Sequence, residues 1–65
     1  MCESTLFVLR NGKREKVMEN VARLLLEGDT VVCTDILGEK KEFRNARLKE
    51  ANLIDHAIII ELGRV

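Results

Sequence analysis

The sequence contains no proline, tryptophan or tyrosine, and its only aromatic residues are two phenylalanines. Nucleic-acid-binding proteins usually carry a basic excess, and many stack bases on aromatic side chains. Here 11 basic residues are balanced by 11 acidic ones, so the formal net charge is zero. This composition gives no support to nucleic-acid binding, and we do not expect it.

Cysteine is also scarce. Cys2 and Cys33 could form at most one disulfide, and no Cys-x-x-Cys pair or Cys/His cluster indicates a structural zinc site. No signal-peptide pattern opens the sequence, and the longest apolar runs, 6–9 and 57–60, are far shorter than a membrane span. We therefore expect a cytoplasmic protein with reduced thiols that does not enter a membrane.

The chain has 65 residues, which is room for one domain over residues 1–65. A domain of this size buries only about 60% of the surface that its unfolded chain exposes, so it is marginally stable without a staple or a partner. Yet 46% of the residues are hydrophobic. A dimer interface is the simplest place for this surplus of apolar surface, and we expect a homodimer.

Turn signals at short intervals predict an all-β fold, a meander or small barrel of about six short strands. Asn11-Gly12 is the strongest of these signals, because both residues tolerate the positive φ of a tight hairpin. Gly28-Asp29 and Leu37-Gly38 mark further turns. The predicted strands are 5–10, 13–18, 21–27, 30–36, 39–43 and 57–62.

Two segments are ambiguous. Residues 13–26 carry apolar side chains at helical spacing, with Gly28 placed like a helix C-cap. We favour strands there, because Asn11-Gly12 calls for a partner strand on its C-terminal side. Residues 44–55 are predicted to form a short crossover, either a helical turn or an irregular segment, in which Leu53 and Ile54 pack down. The residues predicted to be largely buried are Phe7, Leu9, Leu24, Leu26, Val32, Ile36, Ile58 and Ile60.

Cys2 is the most informative residue for chemistry. If Met1 is removed, Cys2 carries a thiol and a free α-amine, which can chelate one metal ion, and the amide nitrogen of Glu3 follows. Mixed nitrogen and thiolate donors suit Ni(II) or Cu(II). One chain offers too few strong donors, whereas two chains brought together by a dimer axis would complete a four-coordinate site. The alternative is an ordinary cysteine in a frayed terminus with Met1 retained.

The other candidates are weaker. Glu3 could supply an outer carboxylate beside Cys2. In a strand, Cys33 lies on the face opposite to Val32, and it is interpreted as a small hydrophobic residue of the core or of an interface. His56 is the only histidine, and a lone imidazole before a strand is more often a turn residue than a ligand. No Ser/His/Asp set, phosphate loop or carboxylate pair is present, and a barrel this small leaves little room for a substrate cleft, so we do not expect an enzyme.

Beyond these residues, the whole chain resembles the CooT family of small nickel-binding proteins. The resemblance lies in Met1-Cys2 followed by a hydrophobic strand, in Glu27-Gly28-Asp29, in the segments 31–37 and 39–43, and in the final isoleucine-rich strand. It implies an SH3-like barrel and a homodimer that holds one Ni(II) between the two Cys2 residues. It also implies a supporting role in nickel delivery to carbon monoxide dehydrogenase.

Two other interpretations remain. Hydrogenase maturation chaperones of the HypC type also begin Met-Cys, but they continue with small apolar residues and a proline, which this chain lacks. A small barrel that serves as an interaction or RNA-binding module, with Cys2 incidental, is the alternative from another functional class.

Overall fold

The computed structural model describes residues 3–63, which form one six-stranded sheet. The strands are β1 (Ser4–Arg10), β2 (Lys13–Glu27), β3 (Thr30–Asp35), β4 (Lys40–Arg44), β5 (Ala46–Asn52) and β6 (Ala57–Leu62). The predicted all-β class is confirmed, and the number of strands agrees with the prediction because two predicted strands merge into β2 while β5 is an additional strand. The described residues include no helix, and hence no helix that could span a membrane.

The two strongest turn signals form hairpins. Asn11 and Gly12 both have positive φ, 53° and 78°, and join β1 to β2 as a type I′ turn requires. Gly28, with φ 58°, opens the two-residue connection between β2 and β3. Each position would be strained for most L-residues, so the local sequence fixes where the chain reverses.

Residues 13–26, whose apolar spacing also suited a helix, belong to a single long strand. β2 has 15 residues, which would span roughly 50 Å if it were straight. The longest dimension of the molecule is 37 Å, so β2 must bend. The bend accompanies register shifts in both ladders of β2 and an Asn20 at φ 57°. The strands predicted over 13–18 and 21–27 are therefore the two halves of one strand, which pair with β1 and β3 respectively.

The predicted crossover over 44–55 is wrong in its conformation. Residues 46–52 form β5, which pairs antiparallel with β6, and Leu53 and Ile54 do not pack down: they are 76% and 88% exposed. A register shift between Leu48 and Glu50 hides the strand in the sequence, because the extra residue breaks the alternation of apolar and polar positions.

The strand order is β4-β3-β2-β1-β6-β5, with β1 and β6 parallel. The two edge strands, β4 and β5, are joined by Asn45 alone, so the sheet has to curl until its edges approach each other. The Ala46 N–H donates to the Asp29 carbonyl oxygen at 2.8 Å, which ties β5 to the β2–β3 turn. The sheet is thus curled like a barrel, but its hydrogen-bonding is not closed into a ring.

The core lies on the concave face of this curl. It contains Leu6, Val8, Met18, Val21, Val31, Cys33, Ala46 and Ile60. Burial of Ile60 was predicted and is confirmed, and Leu24 and Ile58 are half-buried against the core.

For the other predicted core residues, the prediction that they are largely buried is wrong. Phe7, Leu9 and Val32 lie on the opposite face and are only half-buried, while Leu26 and Ile36 are 49% and 58% exposed. In β1 and β3, unbroken apolar runs leave the inward face undefined by alternation, and the structure buries the neighbouring residues instead.

Candidate functional site

The start of β1 lies where three segments of the chain meet. The Thr5 N–H donates to the carbonyl oxygen of His56 at 2.8 Å, which brings the turn before β6 to this point. On the other side Ser4 pairs with Val21 of β2. Next to Val21, the Asn20 carbonyl oxygen accepts the Ile36 N–H at 3.0 Å and brings in the turn after β3. We call this surface, made of residues 3–5, 35–39 and 52–57, the N-terminal end.

Both turns of the N-terminal end are fixed by a side-chain oxygen. Asp35 Oδ1 accepts the backbone N–H groups of Leu37 and Glu39, each at 2.9 Å. Asn52 Oδ1 accepts those of Ile54 at 3.2 Å and Asp55 at 3.0 Å. Such side-chain-to-backbone bonds replace the hydrogen bonds that a strand would supply, and they give each turn a defined conformation.

These turns present large apolar side chains to solvent. Leu37, Leu53 and Ile54 are 83%, 76% and 88% exposed, and Ile36 adds a fourth at 58%. Single exposed hydrophobic residues are normal on protein surfaces, whereas large contiguous patches of them mark interaction sites. Four of the six exposed large hydrophobic side chains among the described residues therefore lie on these two turns.

The charges at the N-terminal end are of one sign. Its three segments contain the carboxylates of Glu3, Asp35, Glu39 and Asp55 and no Lys or Arg. The chain as a whole is neutral, so this end is polarised relative to the rest of the molecule. A surface of this kind attracts cations.

The predicted site residues lie in different environments. Cys2 lies outside the described residues. Glu3 is exposed and immediately precedes β1, at the N-terminal end. Cys33 is fully buried in the core, and burial raises the pKa of its thiol to about 11. His56 is half-buried at the N-terminal end with φ 55°. Sequence reasoning missed its nearness to the start of the chain, because only the parallel pairing of β1 with β6 creates it.

The donor chemistry of the described residues limits where a metal could bind. Within residues 3–63 no three His, Cys, Asp or Glu side chains lie close enough together to hold an ion. The thiol of Cys33 is protonated at neutral pH and shielded from solvent, so it is a poor ligand. A thiolate site would have to use Cys2, which lies outside the described residues, and a thiol with nitrogen donors fits a borderline divalent metal such as Ni(II).

The opposite end of the molecule carries an open cleft of about 670 Å³. Turn residues line much of it, including Asn11, Gly28 and Asn45, and Arg47 and Glu61 form an ion pair there with Nη2 and Oε1 3.3 Å apart. Both partners of the pair are solvent-accessible. The described residues that line the cleft include no nucleophile with an adjacent base, and none of them points to a reaction.

Comparison with known proteins supplies the class of this small curled sheet. The family described as "CO dehydrogenase accessory protein CooT" matches residues 1–61. The crystal structure of a protein provisionally described as CooT, from Carboxydothermus hydrogenoformans, superposes with a TM-score of 0.83. That match has 28% sequence identity and covers 97% of this chain and 100% of the other.

Two archaeal relatives have no described function. An uncharacterised protein of Archaeoglobus fulgidus is 46% identical over 44 residues, which are 68% of this chain and 96% of that protein. One from Methanocaldococcus jannaschii is 39% identical over 61 residues, 94% of this chain and 98% of its own length.

The protein is therefore a small all-β accessory protein and not an enzyme. It belongs to the CooT family of carbon monoxide dehydrogenase accessory proteins.

Proposed function

We propose that this protein is a nickel-binding accessory factor that works as a homodimer in the cytoplasm. One Ni(II) is held between two protomers by the Cys2 thiolate and a backbone nitrogen of each, with Glu3 as a nearby carboxylate. The nickel is cargo, delivered to a client enzyme such as carbon monoxide dehydrogenase. The family's association with that enzyme supports the nickel connection.

The contrast between the two cysteines carries this proposal. Cys33 is sealed in the core with a raised pKa, so it is unsuited to bind and release a metal ion. Cys2 precedes Glu3, which is exposed beside two turns and several carboxylates. A chain that offers one usable thiol has too few donors for a four-coordinate nickel site, and a second copy supplies the missing ones.

The proposal predicts a pH dependence. Thiol and α-amine have reference pKa values of about 8.5 and 7.7–8.0, and both must lose a proton to bind the metal. Because protons compete with nickel, the affinity should rise as the pH increases from about 6 to about 8. Calorimetry across this range measures it directly.

The decisive experiment is nickel titration of the Cys2→Ser variant. Serine keeps the size of the side chain but barely ionises, so nickel binding should be abolished while the fold remains intact. The matched controls are Cys33→Ser, which changes the other thiol, and His56→Ala, which removes the imidazole at the same end. Calorimetry and the nickel–thiolate charge-transfer band should show near-normal binding in both controls.

The intact mass of the purified protein shows whether Met1 has been removed, which the chelating α-amine requires. Full nickel binding by Cys2→Ser, or its loss in His56→Ala, would contradict the proposed site. Either result would favour an interaction or RNA-binding module in which Cys2 has no metal role.

A further inference from the structure

We propose that the outer edge of β4 binds an extended, acidic segment of a partner protein as an added strand. The segment binds through its backbone, and its acidic side chains give it preference over other extended chains. This edge is separate from the proposed metal site, and the proposal does not depend on nickel binding.

Within residues 3–63, β4 pairs with a strand on one side only. It stands at the end of the order β4-β3-β2-β1-β6-β5, with β3 as its single neighbour. Four of its five residues are exposed. Such an edge presents unpaired backbone N–H and C=O groups, with which another extended chain can form a ladder.

The hydrogen-bonding pattern identifies the backbone groups that point outward. The Asp35 N–H donates to the Glu39 carbonyl oxygen at 2.9 Å, and the β3–β4 ladder continues from this pair without a register shift. Hydrogen-bonded and non-hydrogen-bonded pairs alternate in an antiparallel ladder. The N–H and C=O groups of Lys40, Glu42 and Arg44 therefore point away from β3 and form a regular row.

The other edge strand, β5, is less suited to an added strand. A register shift between Leu48 and Glu50 interrupts its row of backbone groups, and the Ala46 N–H already donates to Asp29. Irregularities of this kind hinder pairing with a further strand. Of the two edges, that of β4 is the regular one.

The charge of the two edge strands indicates the chemistry of the partner. β4 and β5 together carry two acidic and five basic side chains, although the whole chain is neutral. The basic ones are Lys40, Lys41, Arg44, Arg47 and Lys49. Lys41 turns inward, where its Nζ donates to the Val17 carbonyl oxygen at 3.2 Å, whereas Lys40 and Arg44 lie exposed on the outer face. A strand with acidic side chains opposite these two gains cross-strand ion pairs.

The same charges argue against a second copy as the occupant. An antiparallel copy centred on Glu42 would place Lys40 opposite Arg44 and Glu42 opposite itself. Like charges directly opposite each other destabilise a strand pair, and charged edge strands protect proteins from self-association in this way. The charges that repel a second copy attract an acidic strand.

Nucleic acid is the other polyanion that a basic surface could attract. The one aromatic residue of β4, Phe43, packs half-buried against the core and pairs with Val31, so it offers bases no exposed ring for stacking. An extended polypeptide, by contrast, can use the whole row of outward backbone groups. The edge therefore fits an acidic polypeptide better than a nucleic acid.

The test measures the binding of a short fluorescein-labelled peptide of alternating Glu and Val to the full chain by fluorescence anisotropy. One comparison peptide has Lys in place of Glu, which reverses its charge. A second comparison peptide keeps Glu but is N-methylated along its backbone, so it cannot donate hydrogen bonds to the edge.

Two changes to the protein separate the backbone from the charge. Glu42→Pro removes the central outward N–H, and proline is tolerated at an edge position whose N–H faces solvent. Glu42→Ala is its matched control, since it loses the same carboxylate but keeps the N–H. The double variant Lys40→Glu/Arg44→Glu reverses the charge of the outer face, and Lys13→Glu, at an exposed lysine after the β1–β2 turn, is its control. Circular dichroism shows whether each variant is folded.

We expect the acidic peptide to bind Glu42→Ala and Lys13→Glu at least as tightly as the wild type. Its affinity should fall at least tenfold for Glu42→Pro and for the double variant, and both comparison peptides should bind the wild type at least tenfold more weakly. The proposal is wrong if the acidic peptide does not bind the wild type, or if folded Glu42→Pro binds it as well as Glu42→Ala does. If Glu42→Pro is unfolded, the double variant and the N-methylated peptide decide in the same way.

A single-stranded oligouridine, measured alongside, gives the outcome for nucleic acid. If it binds more tightly than the acidic peptide, and if Glu42→Pro leaves its affinity unchanged, the edge is a nucleic-acid surface and the proposal is wrong. Nickel binding by Cys2→Ser would overturn the proposed metal site but not this inference, because the peptide is titrated without nickel.

Discussion

The molecule contains two groups of aliphatic side chains that are chemically alike and structurally opposite. The interior group, represented by Leu6 and Ile60, is fully buried between the strands. The N-terminal end displays Leu37 and Ile54 to water. The difference shows that the hydrophobic content, high for a chain this short, is divided between the core and exposed turns. Substitutions in the interior should therefore lower the stability far more than substitutions on the turns.

The largest expected effect is in the interior. Leu6→Ala or Ile60→Ala should cost about 2–5 kcal/mol of unfolding free energy, because each creates a cavity in a packed core. A core of this size supplies roughly 3–5 kcal/mol in total, so these variants should be largely unfolded. Leu53→Ala, by contrast, should change the stability of the protomer by less than about 0.5 kcal/mol. Urea denaturation measures the unfolding free energy of all three variants. If Leu53→Ala were unfolded, the proposed difference between the interior and the exposed aliphatic side chains would be wrong.

A second test concerns Cys33, the buried thiol, whose ionisation should destabilise the fold at alkaline pH. Its pKa is raised by burial from 9.0 to about 11, so between these values the unfolded chain loses a proton that the folded chain keeps. This contribution to stability is present below pH 9, falls as the pH rises and levels off above about 11, a loss on the order of 2 kcal/mol.

The matched control is Cys33→Ala, which lacks the ionising thiol but keeps an apolar side chain in the core. Lysine and arginine residues also respond to alkali, so the result is the difference between the two stability curves. Parallel curves for the two proteins between pH 9 and 11 would show that Cys33 is not held in an apolar interior.

The smallest effect is expected at the turn after β3. Asp35→Ala removes the acceptor of two backbone hydrogen bonds, which should cost the protomer about 1 kcal/mol. Asp29→Ala, at the opposite end, is the control, since within residues 3–63 the Asp29 carboxylate accepts no comparable backbone hydrogen bonds and its loss should leave stability nearly unchanged. Thermal melting measures both variants, and equal melting temperatures would contradict the role of the Asp35 carboxylate in fixing the turn.

Part of the fold was predictable because its signals are local. Asn11-Gly12 and Gly28 have backbone conformations that few other residues tolerate, so the turns could be located from the sequence. The continuity of β2 could not be predicted from the sequence. Glu19-Asn20 interrupts the apolar pattern, and only the tertiary structure shows that Asn20 at positive φ bends one strand instead of ending it.

The candidate site was predictable in its chemistry but not in its surroundings. The sequence placed a possible chelating thiol at Cys2 and interpreted Cys33 as a buried hydrophobe, and the burial of Cys33 is confirmed. It predicted that Leu53 and Ile54 would pack down, which is wrong, because both lie in the turn between β5 and β6 and point to solvent at 76% and 88% exposure. The turn that carries them lies near the start of β1 because β1 pairs with β6, a contact between residues more than fifty positions apart.

The sequence by itself determined the all-β class and the tight turns, and it singled out Cys2 as the candidate chelating thiol, because turn geometry and donor chemistry belong to individual residues. The tertiary structure decided which face of each apolar strand is buried. Runs such as Leu6–Leu9 and Ile58–Ile60 are apolar on both sides, so only packing against the opposite strands selects one face. It also decided that two distant turns lie beside the start of the chain, because strand pairing, and not local propensity, brings distant segments together.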